Sequence, residues 1–326
     1  MSNLSYMSGA TDDALWNKTI GQALDETVAK FGAREALVSV HQNIRWTYDQ
    51  FNTEVDKVAA GLIALGLKRG ERIGIWSPNN AEWIVTQFVT AKAGLILVTI
   101  NPAYRLSELE YALNKVECRA LILADKFKTS DYVKMVEDLA PEICDCDPCH
   151  LKSAKLPHLK IVAVIANDVP AGFMKFSDIA AASTPSSIAQ LNNLKDVLSP
   201  DDAINVQFTS GTTGFPKGAT LSHRNILNNG RFTAVRQNFS ENDRLCIPVP
   251  LYHCFGMVLG ALACISFGAA MILPGEAFDP ITVLKAVEDE KCTALYGVPT
   301  MFITELAHPS FKNYNLSTLR TGVLAG

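Results

Sequence analysis

Short apolar runs alternate along the chain with stretches in which apolar residues recur at helical spacing. After Thr47 such residues occupy every third or fourth position, as expected for the buried face of one helix. They are Phe51, Val55, Val58, Leu62 and Leu65. Thr47 and Gln50 have the spacing of a capping box, and Gly66 follows the last apolar position. The pattern therefore predicts a helix that begins after Thr47 and ends near Gly66.

The same alternation continues to the end of the chain. The strands that it predicts cover residues 72–76, 95–100, 120–124, 160–165, 203–208, 245–249, 270–273 and 294–297. The predicted helices cover residues 80–93, 107 onwards, 222–237, 256–267, 280–290 and 299–307. Ser107, Ser222 and Asp279 are expected to cap three of them, and Pro280 suits a first helical position. Strands separated by helices of this length predict an α/β fold with two β/α subdomains, whose mostly parallel sheets are covered by helices.

Proline and serine positions suggest where the chain divides. They are frequent between about residues 140 and 200, which predicts an irregular connector interrupted by the strand at 160–165. We expect residues 1–20 to form an N-terminal extension and residues 21–200 a first subdomain that includes this connector. Residues 201–326 are expected to form a second subdomain. Because residues 319–326 have the pattern of a core strand without a following turn, we expect that subdomain to be incomplete and the chain to be a fragment.

The composition excludes several classes of protein. Of the 326 residues, 48% are hydrophobic and 19% are charged, which is typical of a soluble protein with a large core. The net charge is −4 and no basic run stands out, so no nucleic-acid partner is expected. The first ten residues have neither a basic region nor an apolar core, and Asp12 and Asp13 follow early. A cytoplasmic location with reduced cysteines is therefore predicted.

Residues 207–218 combine hydroxyl groups, glycines and one lysine between a predicted strand and a predicted helix. Glycines let backbone N–H groups approach phosphate oxygens, hydroxyls add donors, and a lysine offsets the negative charge. The stretch differs from a P-loop, because Pro216 and Gly218 occupy the positions of the P-loop glycine and its Ser or Thr. A flexible surface loop is the alternative, but the flanking strand and helix favour a polyphosphate site.

The sequence from Thr209 to Gly218 resembles the phosphate-binding signature of the adenylate-forming superfamily. This superfamily includes acyl-CoA synthetases, luciferases and the adenylation domains of peptide synthetases. Residues 250–256 and 296–302 resemble two further segments of the family, in the expected order. The resemblance covers essentially the whole chain and is closest to medium- and long-chain fatty acyl-CoA synthetases.

This resemblance implies a reaction in two steps. A fatty acid carboxylate attacks the α-phosphate of ATP to give acyl-adenylate and pyrophosphate, and the thiol of coenzyme A then releases AMP as acyl-CoA forms. ATP, Mg²⁺ and coenzyme A are thus implied, together with small-molecule substrates. The implied partners include no nucleic acid and at most a peripheral membrane contact, and a homodimer is allowed.

The resemblance also assigns residues to these ligands. Those implied to bind ATP are Thr209, Ser210, Gly211, Thr212, Thr213, Gly214, Pro216, Lys217 and Gly218, and Thr209 is also implied to approach magnesium. Lys217 and His253 are the implied catalytic residues. His253 follows a predicted strand, where α/β sheets bind ligands, and we expect it to position the acid rather than transfer a proton. The implied acyl-binding residues are His253, Phe255, Gly256, Gly297, Val298, Pro299, Thr300 and Gly326.

Two alternatives remain within this interpretation. The substrate of the same fold could be an aryl or an amino acid, although amino-acid activators usually place an Asp soon after the pocket histidine, where this chain has Cys254. The chain could also be a non-catalytic remnant that binds nucleotide. The family segments that contact adenine, ribose and magnesium later in the chain, and the adenylation lysine, are not in this sequence, so we expect these residues alone to catalyse little.

Two other stretches suggest different functions. The segment 144–150 contains three cysteines and a histidine, namely Cys144, Cys146, Cys149 and His150. It matches a haem-attachment pattern and allows a zinc site, but an exposed variable loop is the expected structure. Residues 247–273 contain no formal charge and exceed the ~20 residues that span a bilayer. Because prolines and glycines interrupt them, a buried α/β segment is favoured over a membrane span.

Overall fold

The computed structural model describes residues 13–209 and 216–326. Most strands in this part of the chain form two sheets that are covered by helices. The strands are β1 (Glu35–Ser39), β2 (Ile44–Thr47), β3 (Arg72–Trp76), β4 (Ile96–Thr99), β5 (Cys118–Ala124), β6 (Lys126–Phe127), β7 (Ser130–Asp131), β8 (Ile161–Ile165), β9 (Met174–Lys175), β10 (Ala203–Thr209), β11 (Lys217–Ser222), β12 (Arg244–Cys246), β13 (Ala270–Leu273), β14 (Ala294–Gly297) and β15 (Thr321–Leu324). The predicted α/β fold is therefore confirmed.

Helices connect most of these strands. The α-helices are α1 (Ile20–Phe31), α2 (Tyr48–Ala64), α3 (Ala81–Ala93), α4 (Leu106–Lys115), α5 (Tyr132–Leu139), α6 (Phe176–Ala181), α7 (Pro185–Val197), α8 (His223–Arg236), α9 (Ala263–Phe267), α10 (Pro280–Asp289) and α11 (Pro299–Ala307). Short 3₁₀ turns cover Pro141–Asp145 and Phe311–Asn313, and a π-helix covers Phe255–Leu262. All but one of the residues of α3 are buried, because other elements pack around the whole of this helix.

The first sheet has seven strands in the order β11-β10-β4-β3-β5-β8-β9. The second has six strands in the order β15-β14-β12-β13-β1-β2. Neighbouring strands are mostly parallel, and the antiparallel pairs β10–β11 and β1–β2 each lie at one edge of a sheet. A hairpin of β6 and β7 lies apart from both sheets.

The division between the sheets differs from the predicted division of the chain at residue 201. Strands β1 and β2 belong to the second sheet, where Leu37 pairs with Met271. Strands β10 and β11 belong to the first sheet, where Val206 pairs with Val98. Position in the chain therefore did not predict which sheet a strand joins. A strand joins the sheet in which both of its faces are covered, and each sheet contains segments that are distant in the sequence.

The predicted connector at 140–200 is more regular than expected. It contains α6 and α7, and α7 begins with Pro185 after Thr184, whose hydroxyl accepts the Ser187 N–H at 3.1 Å. Proline at the first helical position after a threonine cap favours the start of a helix. The prediction of an irregular connector rested on the number of prolines and did not consider this position. Of the predicted N-terminal extension, residues 1–12 lie outside the described residues, and α1 already begins at Ile20.

Local start signals were reliable at most helices. The capping box at Thr47 is confirmed, with Gln50 Oε1 accepting the Thr47 N–H at 2.9 Å, and Ser222 and Asp279 cap α8 and α10 as predicted. The prediction for Ser107 was wrong. Helix α4 begins at Leu106, because Glu108 accepts the N–H of Arg105 at 3.1 Å and so places the cap earlier.

Residues 247–273 fold as loop, π-helix, α9 and β13, as favoured by the prolines and glycines. No helix among the described residues combines the length and apolar character needed to cross a membrane. Within the same residues, no three His, Cys, Asp or Glu side chains are arranged to hold a metal ion, and this includes the segment 144–150.

His223 gives the stability of the fold a dependence on pH. Its ring is buried, its Nδ1 accepts the N–H of Ile20 at 3.1 Å, and burial lowers its pKa to about 4. In the unfolded chain the ring binds a proton below pH 6.5 and the folded protein does not, so this stabilising contribution is lost as pH falls from 6.5 towards 4.

We expect His223→Asn to remove this loss. The difference in unfolding free energy between wild type and variant should shrink by about 2 kcal/mol between pH 7 and pH 5. Urea unfolding of wild type and variant at pH 7 and at pH 5 measures this difference in free energy. Burial raises the pKa of Glu305 to about 7, so this residue makes the unfolding free energy change with pH in the opposite direction. Because both proteins contain Glu305, its contribution cancels in the difference between them. An unchanged difference would show that His223 is protonated in the folded state.

Candidate functional site

The predicted phosphate-binding stretch includes the end of β10 and the start of β11, and residues 210–215, called the tip below, connect these two strands in the chain. Thr209 pairs with Lys217 at the base of the tip, and Phe208 pairs with Gly218. Thr209, Lys217 and Gly218 are at least partly exposed, so the hairpin presents them to solvent. The other predicted phosphate ligands of the tip, Ser210, Gly211, Thr212, Thr213 and Gly214, lie outside the described residues.

The strand register places this hairpin at the carboxyl edge of the first sheet. Strand β10 runs parallel to β4, with Gln207 opposite Thr99, so both strands end on the same side. The exit of the tip is held by Tyr111 of α4, whose hydroxyl donates to the carbonyl of Pro216 at 3.2 Å. Thr209 and Lys217 therefore lie at the edge where parallel sheets bind ligands.

His253 lies in a tight turn that leads into the π-helix. Its N–H donates to the carbonyl of Pro250 at 3.3 Å, and its own carbonyl accepts the N–H groups of Gly256 and Met257 at 3.0 and 3.2 Å. The ring Nδ1 accepts the N–H of Phe255 at 3.1 Å, and the side chain is exposed. These bonds orient the ring, which suits a positioning role.

The π-helix connects this turn to the hairpin strand. Gln207 of β10 donates from Nε2 to Met257 Sδ at 3.2 Å, and Gln87 of α3 donates to the Met257 carbonyl at 3.1 Å. A π-helix is rare and often accompanies a functional site. The structure thus brings the predicted phosphate hairpin and the predicted acyl-side turn together through one buried residue of the π-helix.

The remaining predicted acyl-side residues also meet. The ring of Phe255 stacks on Tyr296 with 5.4 Å between centroids, directly before Gly297 at the end of β14. Gly326 lies against Val298, since a Cβ added to Gly326 would be 3.0 Å from the Val298 Cγ1. Pro299 and Thr300 begin α11 and are exposed.

A cavity of about 400 Å³ lies between the carboxyl edges of the two sheets. Its walls come from the loops after β3, β4, β12 and β13, and from β6, β7 and α11. The lining residues are Pro78, Asn79, Asn101, Pro102, Ala103, Arg105, Phe127, Lys128, Thr129, Ser130, Pro248, Pro250, Tyr252, Glu276, Ala277, Phe278 and Met301. Apolar walls with a few charged groups are typical of a small-molecule site.

Charge in this cavity is mostly positive. Arg105 and Lys128 are exposed at its wall, and Arg105 donates to the hydroxyl of Ser130 at 2.7 Å. Glu276 is the carboxylate of the lining, and burial, followed by the nearby charge of Asp125, raises its pKa. The cavity therefore favours an anionic ligand with apolar parts.

The sequence did not single out the residues of this cavity. Asn79, Asn101 and Glu276 each follow the carboxyl end of a strand in the observed topology. The sequence signal available for these residues was their position just after a predicted strand. That signal identifies cavity residues only when it is known which strands are neighbours in the sheet. None of the predicted site residues that the structure describes lines the cavity itself, although His253 and Thr300 directly adjoin the lining residues Tyr252 and Met301 in the chain.

Thr209 offers one neutral oxygen to a magnesium ion, and its hydroxyl donates to the Lys217 carbonyl at 3.4 Å. No acidic cluster accompanies it in the described part of the chain. Mg²⁺ often takes few protein ligands and several from phosphates and water. Thr209 therefore fits a magnesium ion that arrives with a nucleotide, and it does not form a metal site by itself.

Comparison with known proteins places this geometry in a family. A model of the AMP-binding enzyme family matches residues 24–326. The chain is 47% identical over 324 residues to the medium-chain acyl-CoA ligase ACSF2, mitochondrial, of Danio rerio, covering 99% of this chain and 53% of that protein. The Homo sapiens protein of the same name is 44% identical over 330 residues, covering 100% and 54%. The chain spans about half the length of these curated relatives.

Solved structures agree with the fold. The crystal structure of the anthranilate CoA ligase AuaEII in complex with anthranoyl-AMP matches with a TM-score of 0.80 at 25% identity. The match covers 97% of this chain and 56% of that chain. The resemblance seen in the phosphate-binding stretch is therefore confirmed at the level of both sequence family and fold.

Proposed function

Because the chain belongs to the AMP-binding enzyme family, we propose that it is the N-terminal part of an ATP-dependent fatty acid–CoA ligase. The observation that carries the proposal is the β10–β11 hairpin, which presents Thr209 and Lys217 at the carboxyl edge and is joined through Met257 to the His253 turn. The names of the ACSF2 relatives support a medium-chain fatty acid as the substrate.

The first step needs alignment more than proton transfer. A carboxylate is already ionised at neutral pH, so no general base is required for its attack on the α-phosphate. Lys217 and the backbone of the hairpin tip would hold the outer phosphates and offset their charge, as in other transfers at phosphorus. His253 would orient the carboxylate from its fixed turn, and magnesium, when bound with ATP, would supply further charge neutralisation. Reactants held in attack geometry gain much of the rate that such an enzyme needs.

The cavity between the sheets is proposed to take coenzyme A. This co-substrate carries phosphates and a long neutral arm, which match the cations and the apolar walls of the cavity. Arg105 and Lys128 would contact the phosphates, because charge-assisted hydrogen bonds are strong at such groups. Pro78, Pro102 and Pro250 would contact the arm.

Arg105→Ala and Lys128→Ala should each raise the KM for coenzyme A about tenfold, since each removes one hydrogen-bonded charge. The KM values for ATP and for the acid should change less than about twofold. Steady-state kinetics of the full reading frame that contains this chain measure all three. Lys115→Ala is the matched control, because Lys115 is exposed at the other end of the helix that follows Arg105. Equal rises in all three KM values would contradict the assignment of the cavity.

The acid itself is tested by pyrophosphate release against a panel from acetate to palmitate, with benzoate and anthranilate added. We expect the greatest kcat/KM for a medium-chain acid. The aryl-acid alternative is favoured by one structural neighbour, an anthranilate CoA ligase, and predicts the greatest value for an aromatic acid. Release that does not depend on any acid would contradict the ligase proposal and favour a non-catalytic nucleotide-binding protein.

Several further expectations remain proposals. Residues 1–326 by themselves are expected to give little ATP–pyrophosphate exchange, because relatives of this family are about twice as long. A cytoplasmic location and at most peripheral membrane contact are proposed from the sequence, and a homodimer is an allowed state of assembly. Fractionation, vesicle sedimentation and light scattering test these three in turn.

A further inference from the structure

Asn79 joins three loops that surround the candidate site. It follows β3 of the first sheet and is 3% exposed. Its side-chain Nδ2 donates to the carbonyl of Val249 at 3.0 Å, and its Oδ1 accepts the N–H of Leu251 at 2.8 Å. Its backbone N–H donates to the carbonyl of Glu276 at 3.1 Å. One residue of the first sheet thus holds two loops of the second.

The sequence explains why the Val249–Leu251 segment needs this partner. Strand β12 ends at Cys246, and the prolines at 248 and 250 have no N–H to continue its ladder. Val249 and Leu251 still carry a carbonyl and an N–H that must be paired when buried. The side-chain amide of Asn79 donates to the Val249 carbonyl and accepts the Leu251 N–H. It thus makes the two hydrogen bonds that a neighbouring strand would otherwise make.

The His253 turn depends on this segment. His253 donates to the Pro250 carbonyl, and a Cβ on Gly256 would lie 2.5 Å from the same oxygen. The position of Pro250 therefore fixes both His253 and the start of the π-helix. Since Asn79 bonds on both sides of Pro250, it sets where this turn lies relative to the sheet that carries the phosphate hairpin.

We propose that Asn79 is a positioning residue that aligns the His253 turn with the phosphate hairpin across the two sheets. Its role for the reaction rests on the proposed ligase function. Asn79 lines the cavity, but its amide oxygen and one amide hydrogen are already engaged with the backbone. It therefore acts through His253 rather than through contact with the reacting groups.

The neighbouring residue Asn80 provides a matched control. It is also buried, and its side chain makes two bonds of 2.7 Å, one from the N–H of Trp83 and one to the hydroxyl of Ser77. Both bonds stay within its own loop and helix. We therefore expect loss of the Asn80 side chain to weaken the start of α3 and to leave the Val249–Leu251 segment in place.

The first test is amide hydrogen exchange of the 326-residue chain. In Asn79→Ala and in the isosteric Asn79→Asp, exchange of the peptide 249–257 should be at least about tenfold faster, since a released amide opens locally. Asn79→Asp keeps the acceptor for Leu251 and loses the donor to Val249, so it disturbs the fold less than Asn79→Ala does. Asn80→Ala should leave this peptide unchanged. Unchanged exchange of the peptide in both Asn79 variants would overturn the proposal.

The second test is kinetic and uses the full reading frame. Asn79→Asp should raise the KM for the acid at least about tenfold and the KM for ATP less than about twofold, because the turn moves and the hairpin does not. Asn80→Ala should change neither. Equal effects of the two substitutions, or equal rises in both KM values, would leave Asn79 a merely structural residue. If wild type activates no acid, the proposed function fails, and the exchange measurement still decides whether Asn79 holds the turn.

Discussion

Lys217→Ala is expected to lower kcat/KM for ATP by roughly 100-fold or more, measured by ATP–pyrophosphate exchange of the full reading frame. Lys217 begins β11 at the base of the hairpin tip and is exposed there, so its charge is available to a polyphosphate. Removal of one preorganised donor from the point where charge develops in a transition state costs about two to three orders of magnitude in kcat, and we take this as the scale for Lys217. The KM for the acid should change little, because the π-helix that follows the His253 turn contacts Gln207 of β10, and Lys217 lies on the neighbouring strand β11.

Two control variants sharpen this result. Lys312→Ala removes an exposed lysine from the turn at residues 311–313 and should leave exchange unchanged. Lys217→Arg keeps the charge and should retain more activity than Lys217→Ala. Normal exchange in Lys217→Ala would refute the assignment of the hairpin to ATP.

Gly256→Ala is expected to destabilise the fold by about 3 kcal/mol and to lower acid-dependent exchange at least about tenfold. An added Cβ would lie 2.5 Å from the Pro250 oxygen and 2.9 Å from the Leu251 Cα, and both atoms are backbone. To relieve this steric overlap, the Pro250 turn and the π-helix must move apart, and that movement displaces His253. Urea unfolding and acid-dependent exchange measure the two effects.

Gly275→Ala is the matched control for this substitution. Its Cβ would meet the Ala277 carbonyl at 3.4 Å, an ordinary contact, in a loop beside the same cavity. Its unfolding free energy should stay within about 0.5 kcal/mol of wild type. If Gly256→Ala behaved like Gly275→Ala, the close approach of the turn to Pro250 would not be needed for the site.

The sequence alone determined the features that depend on residues close in the chain. Thr47 and Gln50 cap each other across three residues, and Asp279 with Pro280 starts α10, so these helix starts were predictable. The hydroxyl and glycine pattern around Lys217 predicted a phosphate-binding stretch, because that chemistry is local to a short segment. The family and the α/β fold followed from these signals.

Only the tertiary structure decided which segments meet. Val206 pairs with Val98, and Asn79 binds the backbone beside Pro250 from 170 residues away, and no local pattern marks either contact. Arg105 and Lys128 share a cavity for the same reason. Capping energies involve neighbouring groups of the chain, whereas a strand takes the partner that buries its faces and completes its hydrogen bonds. That choice is made by the assembled core, so the sequence could indicate the chemistry of the site but not its walls.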